Sequence, residues 1–427
     1  MTADTQTLPL IDTNWVRAQF PALSVEQDGT PVLYLDNPAG TQVPRRTIDA
    51  IANYLMSANA NTHGSFLTSQ RTDAVIQAAR EAMAAFLGAP SPHEIALGPN
   101  MTTLTYSLSR GLARLFSPGD EVIVTDLDHD ANITPWADLQ ALGITVHRAP
   151  VNLEDCTLDM DALASLVSPK TRLIAVTHAS NAVGTITDLP AIRDLAHSVG
   201  AWVWVDAVHY GPHGPIDVQA LDIDFLVCSS YKFFGPHLGI LWGRAELLES
   251  IPEYQLRPAP HTVPEKFETG TKNHECLAGL VGTINYLADL GRRAVGLEEG
   301  EGDLRSALVS AMTSIRAYET TLGASLLDGL LSVPDLRLYG ITDPSRLDRR
   351  VPTFAFTLDG MPSPEVQRLL GARGIFSWSG NYYALSIMQR LGLEDNGGAV
   401  RVGAVHYNTP DEIDRLVESL KAIAASR

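Results

Sequence analysis

Short apolar runs with strand character recur along the chain, at 32–36, 94–97, 121–125, 145–149, 172–177, 201–206, 224–228 and 239–242. Between several of them the apolar positions switch to helical spacing. The alanine-rich stretch 71–87 ends at Gly88, as a helix does at its C-cap. The run Gly98-Pro99-Asn100-Met101-Thr102-Thr103 opens a second helical stretch through Leu115, and 161–167 and 189–199 add two more. Strand and helix in alternation predict an α/β fold, a mostly parallel sheet covered by helices. The stretch through Pro21 reads as a helix and an arm. Near Glu265 the chain is rich in proline and charge, and after Gly302 a long helical pattern runs toward Leu331. Beyond it, 353–358, 364–371, 400–405 and 410–423 predict the strands and helices of a smaller C-terminal α+β domain. The expected division is an arm over 1–30, a large domain over 31–295 and a small domain over 296–427.

Composition narrows the class. At 427 residues and 45% apolar the chain can bury a large core spread over more than one lobe. A net charge of −18 disfavours nucleic acid and anionic membrane surfaces as partners. Met1 to Asn14 carry two acids and no lysine or arginine, so neither a secretory nor a transit signal is expected. No apolar run approaches the length of a membrane span. The three cysteines, Cys156, Cys228 and Cys276, are far apart and without Cys-x-x-Cys spacing, which points to a reducing cytoplasm.

Lys232 stands between a predicted strand and a turn rich in aromatics, glycine and proline, in Cys228-Ser229-Ser230-Tyr231-Lys232-Phe233-Phe234-Gly235-Pro236. That is a poor place for a surface charge and a good one for an amine that forms an imine with an aldehyde cofactor. The run Trp202-Val203-Trp204-Val205-Asp206 ends in a carboxylate able to face a pyridinium nitrogen. Pyridoxal 5'-phosphate needs both groups to act as an electron sink. Ligands of open parallel sheets sit outside the carboxyl ends of the strands, and Asp206, Lys232, His129 and Asn181 each follow a predicted strand. The helix start at Asn100-Met101-Thr102-Thr103 offers free N–H groups and hydroxyls to a phosphate, to which Ser229 and Tyr231 can add. His129 is the candidate to lie against the ring and to relay protons.

Singly, each of these has an ordinary reading. A lysine after a strand is usually solvent-facing, a Gly-Pro-Asn-Met-Thr-Thr turn is usually a helix cap, and a lone histidine is usually a satisfied polar residue. His209 and His213 stand at i and i+4, but Gly211 and Pro212 between them break the helix that a zinc pair needs. No Gly-x-Gly-x-x-Gly follows a strand, which disfavours a dinucleotide-binding dehydrogenase. The case for a cofactor rests on the whole ordered set.

The segments Phe20-Pro21-Ala22-Leu23, Tyr34-Leu35-Asp36-Asn37, Asp128-His129-Asp130-Ala131-Asn132-Ile133, Ser180-Asn181-Ala182-Val183-Gly184-Thr185, Val205-Asp206-Ala207-Val208-His209, Ser229-Ser230-Tyr231-Lys232 and Val400-Arg401-Val402-Gly403 resemble the class V aminotransferase family, in particular its cysteine desulfurase branch. The resemblance implies a fold-type I pyridoxal-phosphate transferase in which Lys232 carries the Schiff base and Asp206 pairs with the ring nitrogen. It puts His129 on the ring, Asn181 and His209 near the phenolic oxygen, and Met101, Thr102, Ser229 and Tyr231 at the phosphate. In Phe267-Glu268-Thr269-Gly270-Thr271 it implies that Gly270 and Thr271 reach the phosphate of a neighbouring subunit, hence a homodimer with shared active sites; alone, those residues read as an ordinary turn. Arg401 matches the arginine that binds the substrate carboxylate, for which a planar guanidinium is suited. Asn37, His63 and Trp378 are the remaining substrate-side expectations.

The chain departs from that branch where a desulfurase carries its mobile cysteine: Gly374-Ile375-Phe376-Ser377-Trp378-Ser379-Gly380-Asn381-Tyr382-Tyr383 contains none. An arginine of the same loop is replaced as well, with Trp378 near its place, so the expected pocket is more aromatic and suits a substrate bulkier than cysteine. Of the reactions open to such a site, β-elimination from an S-substituted cysteine without a persulfide is the first expectation, with Lys232 as the base at Cα. Transamination or epimerisation, decarboxylation-linked deamination of a related S-conjugate in specialised metabolism, and a cofactor-binding scaffold without activity are the alternatives.

Overall fold

The computed structural model describes residues 11–426, so the first ten residues of the predicted arm lie outside the described residues. A seven-stranded sheet is built from β1 (Ile95–Gly98), β2 (Glu121–Thr125), β3 (Thr145–Ala149), β4 (Thr171–Thr177), β5 (Trp202–Asp206), β6 (Phe225–Ser229) and β7 (Gly239–Gly243), in the order β1-β7-β6-β5-β4-β2-β3. Strand β7 runs antiparallel to both neighbours and every other pair is parallel. Because successive side chains alternate across the sheet, Val203 and Val205 enter one core while Trp204 enters the other beside Trp136 and Phe225. Helices cover both faces, which is why the central strands read as continuous apolar runs.

The helices include α1 (Arg45–Ser57), α2 (Leu67–Leu87), α3 (Met101–Leu112), α4 (Met160–Leu166), α5 (Leu189–His197), α6 (His274–Ala294), α7 (Leu304–Leu331), α8 (Ser363–Gly371) and α9 (Pro410–Ala425). Gly88 closes α2 in the left-handed conformation at φ 70°, as its position predicts. Of these, α1 and α6 are not announced by the periodicity. No helix among the described residues is long and apolar enough to cross a membrane.

A second sheet, antiparallel throughout, contains β8 (Leu336–Tyr339), β9 (Thr353–Leu358), β10 (Trp378–Gly380) and β11 (Ala399–Gly403) in the order β8-β9-β11-β10. Helix α7 joins the lobes: Ala307 to Ile315 pack in the large-sheet core, Leu322 to Leu330 in the core beneath the second sheet. Before α1, Val16 and Phe20 pack in the large-sheet core, but the segment around Leu33 belongs to the second. Leu33 and Tyr34 pair with Ile375 and Phe376, and Leu33 and Leu35 are buried there.

Candidate active site

Strand order reverses between β2 and β4, since β3 lies beyond β2 on the sheet edge. Such a switch point leaves a crevice at the strands' carboxyl ends. His129 follows β2, Asn181 follows β4, Asp206 is the last residue of β5, and Lys232 lies in the single turn after β6. These residues line two adjoining cavities. The inner one is bounded by Met101, Thr102, His129, Asn181, Asp206, His209, Ser229, Tyr231 and Lys232. The outer one, about 560 Å³, shares His129, Asn181, Tyr231 and Lys232 with it and adds Asp36, Tyr106, Trp378, Tyr382, Tyr383 and Arg401.

Lys232 Nζ donates to the carbonyls of Pro38, in a short contact, and of Ala39 at 3.0 Å. Enclosure by protein, reinforced by the Arg401 charge, lowers its pKa to about 7, against the opposing pull of Asp36 and Asp206. The Asp206 carboxyl is raised to about 6 by burial although Oδ1 accepts from the Val208 amide at 2.9 Å. Burial, helped by Lys232, lowers His129 to about 4, so its ring is neutral at physiological pH. Its Nδ1 accepts from the Ala131 amide at 3.0 Å and its ring stacks on Tyr383. His209, held well below the usual histidine range by burial, bonds Thr353 through Nε2 at 3.0 Å.

The N-terminus of α3 is set for an anion. Its first amides lack intrahelical partners; Met101 N–H donates to Ser229 Oγ at 3.1 Å and Thr103 N–H to Asn100 Oδ1 at 2.8 Å. The Thr102 amide has no hydrogen-bond partner among the described residues. Gly239 makes this approach possible, because a Cβ there would lie 2.7 Å from Asn100 Cα and closer still to its carbonyl. A free amide at a helix start, a buried carboxylate, a lysine of lowered pKa and the buried, unpartnered Asn181 Oδ1, all lining the inner cavity, fit pyridoxal phosphate.

Arg401 sits on β11 between Val400 and Val402, and the alternation that sends both valines into the second core turns the guanidinium to the cavity. It is 3% exposed. Nη1 donates to Asn181 O at 2.9 Å, the Tyr382 ring centroid is 4.3 Å away, and Nε has no partner among the described residues. Trp378 is directly opposite Arg401 in the β10/β11 register, which is how it reaches the same cavity. Tyr382 and Tyr383 follow, both at φ 57°, an uncommon conformation for tyrosine. It is held in place by bonds from Tyr383 N–H to Asn381 Oδ1 at 3.0 Å and from Asp130 N–H to Tyr383 O at 2.6 Å.

Four of the expected residues lie elsewhere. Asn37 does not reach the cavity. It is buried facing away, with Nδ2 donating to the carbonyls of Tyr34 and Gly403 and to Asn408 Oδ1, and with Oδ1 accepting from Tyr407. His63 is exposed on the loop before α2, beside Asp73, and does not line the site. Gly270 and Thr271 lie outside both cavities, Thr271 on a separate one with Gly98 and Thr103. Conversely, Asp36, Tyr106, Tyr382 and Tyr383 were not singled out from sequence, although two tyrosines after Gly380-Asn381 in the cysteine-free loop were the available signal. None of the cysteines lines either cavity; Cys156 and Cys228 are buried in cores.

Comparison with known proteins agrees with this geometry. Residues 33–314 and 304–416 match the sequence profile of the aminotransferase class-V family. A probable cysteine desulfurase of Synechocystis sp. is 33% identical over 422 residues, covering 95% of this chain and 94% of that protein. An aminotransferase-like protein, FGM3, of Gibberella zeae is 33% identical over 424 residues, 96% of this chain and 97% of its own. The crystal structure of the cysteine desulfurase CsdA from Escherichia coli superposes with a TM-score of 0.81 at 29% identity, over 98% of this chain and 99% of that one. The chain, with its lysine, carboxylate and helix start arranged around one crevice, belongs to the class V aminotransferase family of pyridoxal-phosphate enzymes.

Proposed function

We propose that this enzyme is a carbon–sulfur β-lyase that releases a thiol from S-substituted cysteines without forming a persulfide. The observation that carries the reading is the outer cavity wall, where Trp378, Tyr382, Tyr383 and Tyr106 stand and no cysteine does. A persulfide route needs a thiolate within reach of the substrate sulfur. Burial instead pushes the Cys156 thiol up to about 11 and Cys228 higher still.

Bound pyridoxal phosphate supplies an electron sink for charge developing at a substrate carbon. The Thr102 amide and hydroxyl, with Ser229 and Tyr231 beside them, would hold its phosphate. Asp206 would keep a proton on the ring nitrogen, Asn181 and His209 would stand near the phenolic oxygen, and His129 would lie against the ring. Arg401 anchors the substrate carboxylate. Lys232 Nζ, shifted toward its neutral form, takes the proton from Cα. That C–H electron pair forms the Cα–Cβ double bond as the Cβ–S bond breaks and sulfur leaves as thiolate. Hydrolysis of the released enamine yields pyruvate and ammonia.

S-benzyl-L-cysteine incubated with the loaded enzyme is expected to give equal amounts of pyruvate, ammonia and benzyl thiol without added keto acid. A dependence on keto acid would replace the reading with transamination, carbon dioxide release with decarboxylation, and a racemised substrate with epimerisation. A fully loaded but inert protein would favour the scaffold.

The active unit on this reading is a homodimer. Gly270 and Thr271, away from their own chain's cavity, are assigned to the phosphate end of the partner's. Met56, Phe66 and Leu67 are 75%, 57% and 60% exposed at the end of α1 and the start of α2, a patch that a second copy would cover. Sedimentation of the loaded enzyme as a monomer at assay concentration would refute it.

A further inference from the structure

Asp36 reaches the cavity from the opposite end of the chain because its backbone pairs in parallel with Gly403 at the end of β11. Its Oδ1 is buried without a hydrogen-bond partner, and the nearest cation, Nη2 of Arg401, is 3.6 Å away. That exceeds hydrogen-bonding reach. On Arg401 the Asn181 carbonyl occupies Nη1, which leaves the Nε–Nη2 edge for a bidentate carboxylate. A carboxylate docked on that edge comes to lie beside Asp36 Oδ1. Two carboxylates sharing one buried guanidinium cannot both stay ionised without strong repulsion. A proton on Asp36 removes the repulsion and turns its orphan oxygen into a donor.

We propose that Asp36 recognises the substrate α-carboxylate as a neutral acid, donating a hydrogen bond to it while Arg401 holds it on the Nε–Nη2 edge, so that each carboxylate entering the site brings a proton with it. The inference rests on the assignment of Arg401 as the carboxylate anchor. Burial already raises the Asp36 carboxyl against the pull of Arg401 and Lys232, and an arriving anion acts in the same direction as burial. The groups that face it are Arg401 from β11, Lys232 from the turn after β6 and Tyr382 from the segment after β10, with His129 and Asp130 lining the same cavity.

The test uses loaded enzyme and S-benzyl-3-mercaptopropionate, which keeps the carboxylate and lacks the amine. Its binding is measured by calorimetry in two buffers of unlike ionisation enthalpy, between about pH 6 and pH 9. Wild-type enzyme is expected to take up close to one proton per ligand toward the alkaline side, with affinity falling about tenfold per pH unit there. Asp36→Asn keeps a donor in the same place, so it is expected to bind with that proton uptake abolished. Lys232, His129 and Tyr382 are common to both proteins, so the difference between them reads Asp36. Equal proton uptake in wild type and Asp36→Asn overturns the role of Asp36 alone. Identical wild-type enthalpies in the two buffers overturn it without any variant, and failure of the wild type to bind removes Arg401 as the anchor and this proposal with it.

Discussion

Replacing Arg401 by alanine removes a guanidinium that is almost wholly buried and whose Nε has no partner among the described residues. Loss of a desolvated charge pair with a substrate carboxylate costs about 2 to 5 kcal/mol. That corresponds to a fall of roughly 30-fold to several thousandfold in kcat/KM. The change also removes the 2.9 Å bond to Asn181 O and the contact with the Tyr382 ring. These are worth about 1.5 to 3 and about 0.5 to 2 kcal/mol of fold stability, partly offset because Asp36, without the Arg401 guanidinium, is more readily neutral. Stability and recognition are therefore separated with the substrate: kcat/KM is measured for S-benzyl-L-cysteine and for its primary amide with both proteins. Wild-type enzyme is expected to discriminate against the amide by the full factor and Arg401→Ala to treat the two nearly alike. If the variant still prefers the acid as strongly as wild type does, Arg401 is not the anchor.

Borohydride reduction of the loaded enzyme, followed by peptide mapping, is expected to fix the cofactor on Lys232 alone; a modified lysine elsewhere would overturn the site. Trp378→Ala is expected to cost about 1 to 3 kcal/mol in kcat/KM for S-benzylcysteine and little for S-methylcysteine, and equal losses would show that the wall does not select size. Gly239→Ala forces a methyl into the Asn100 backbone. It is expected to displace the α3 start at a cost of about 1 to 3 kcal/mol in stability, with weaker cofactor retention on dialysis; unchanged retention would separate that helix start from the phosphate. Burial lowers His178, stacked on Tyr210, to about 3. Its folded pKa lies below its unfolded one, so the unfolded chain binds the extra proton between about pH 3 and 6.5, and stability falls as pH falls through that window. His178→Phe is expected to move the acid-unfolding midpoint to lower pH, and an unmoved midpoint would show that His178 is not what titrates.

The large sheet was legible because its signals are local. Strands β2 and β3 and the C-cap at Gly88 lie where apolar runs and turn chemistry put them. Helix α6 was not, and its glycines explain why. Gly279, Gly282 and Gly291 lower helix propensity, yet a Cβ at Gly291 would meet the Ala311 amide nitrogen at 2.7 Å, so glycine is what lets α6 lie against α7. Helix α1, packed against α6 along Gly279 and Gly282, depends on the same close approach.

The site divides along the same line. That Lys232, Asp206, His129 and Asn181 share one crevice followed from the sequence, because each sits just past a strand and parallel strands deliver their carboxyl ends to one edge of the sheet. Which side chains complete it did not. Asp36 meets Arg401 only because the segment around Leu33 is paired between Ile375 and Gly403, and Trp378 only because β10 registers it opposite Arg401. In an extended segment adjacent side chains take opposite faces, so Asp36 points into the cavity and Asn37 into the Tyr407 cluster. Pairing across distant parts of the chain set that direction, and with it which charged and aromatic side chains line the outer cavity.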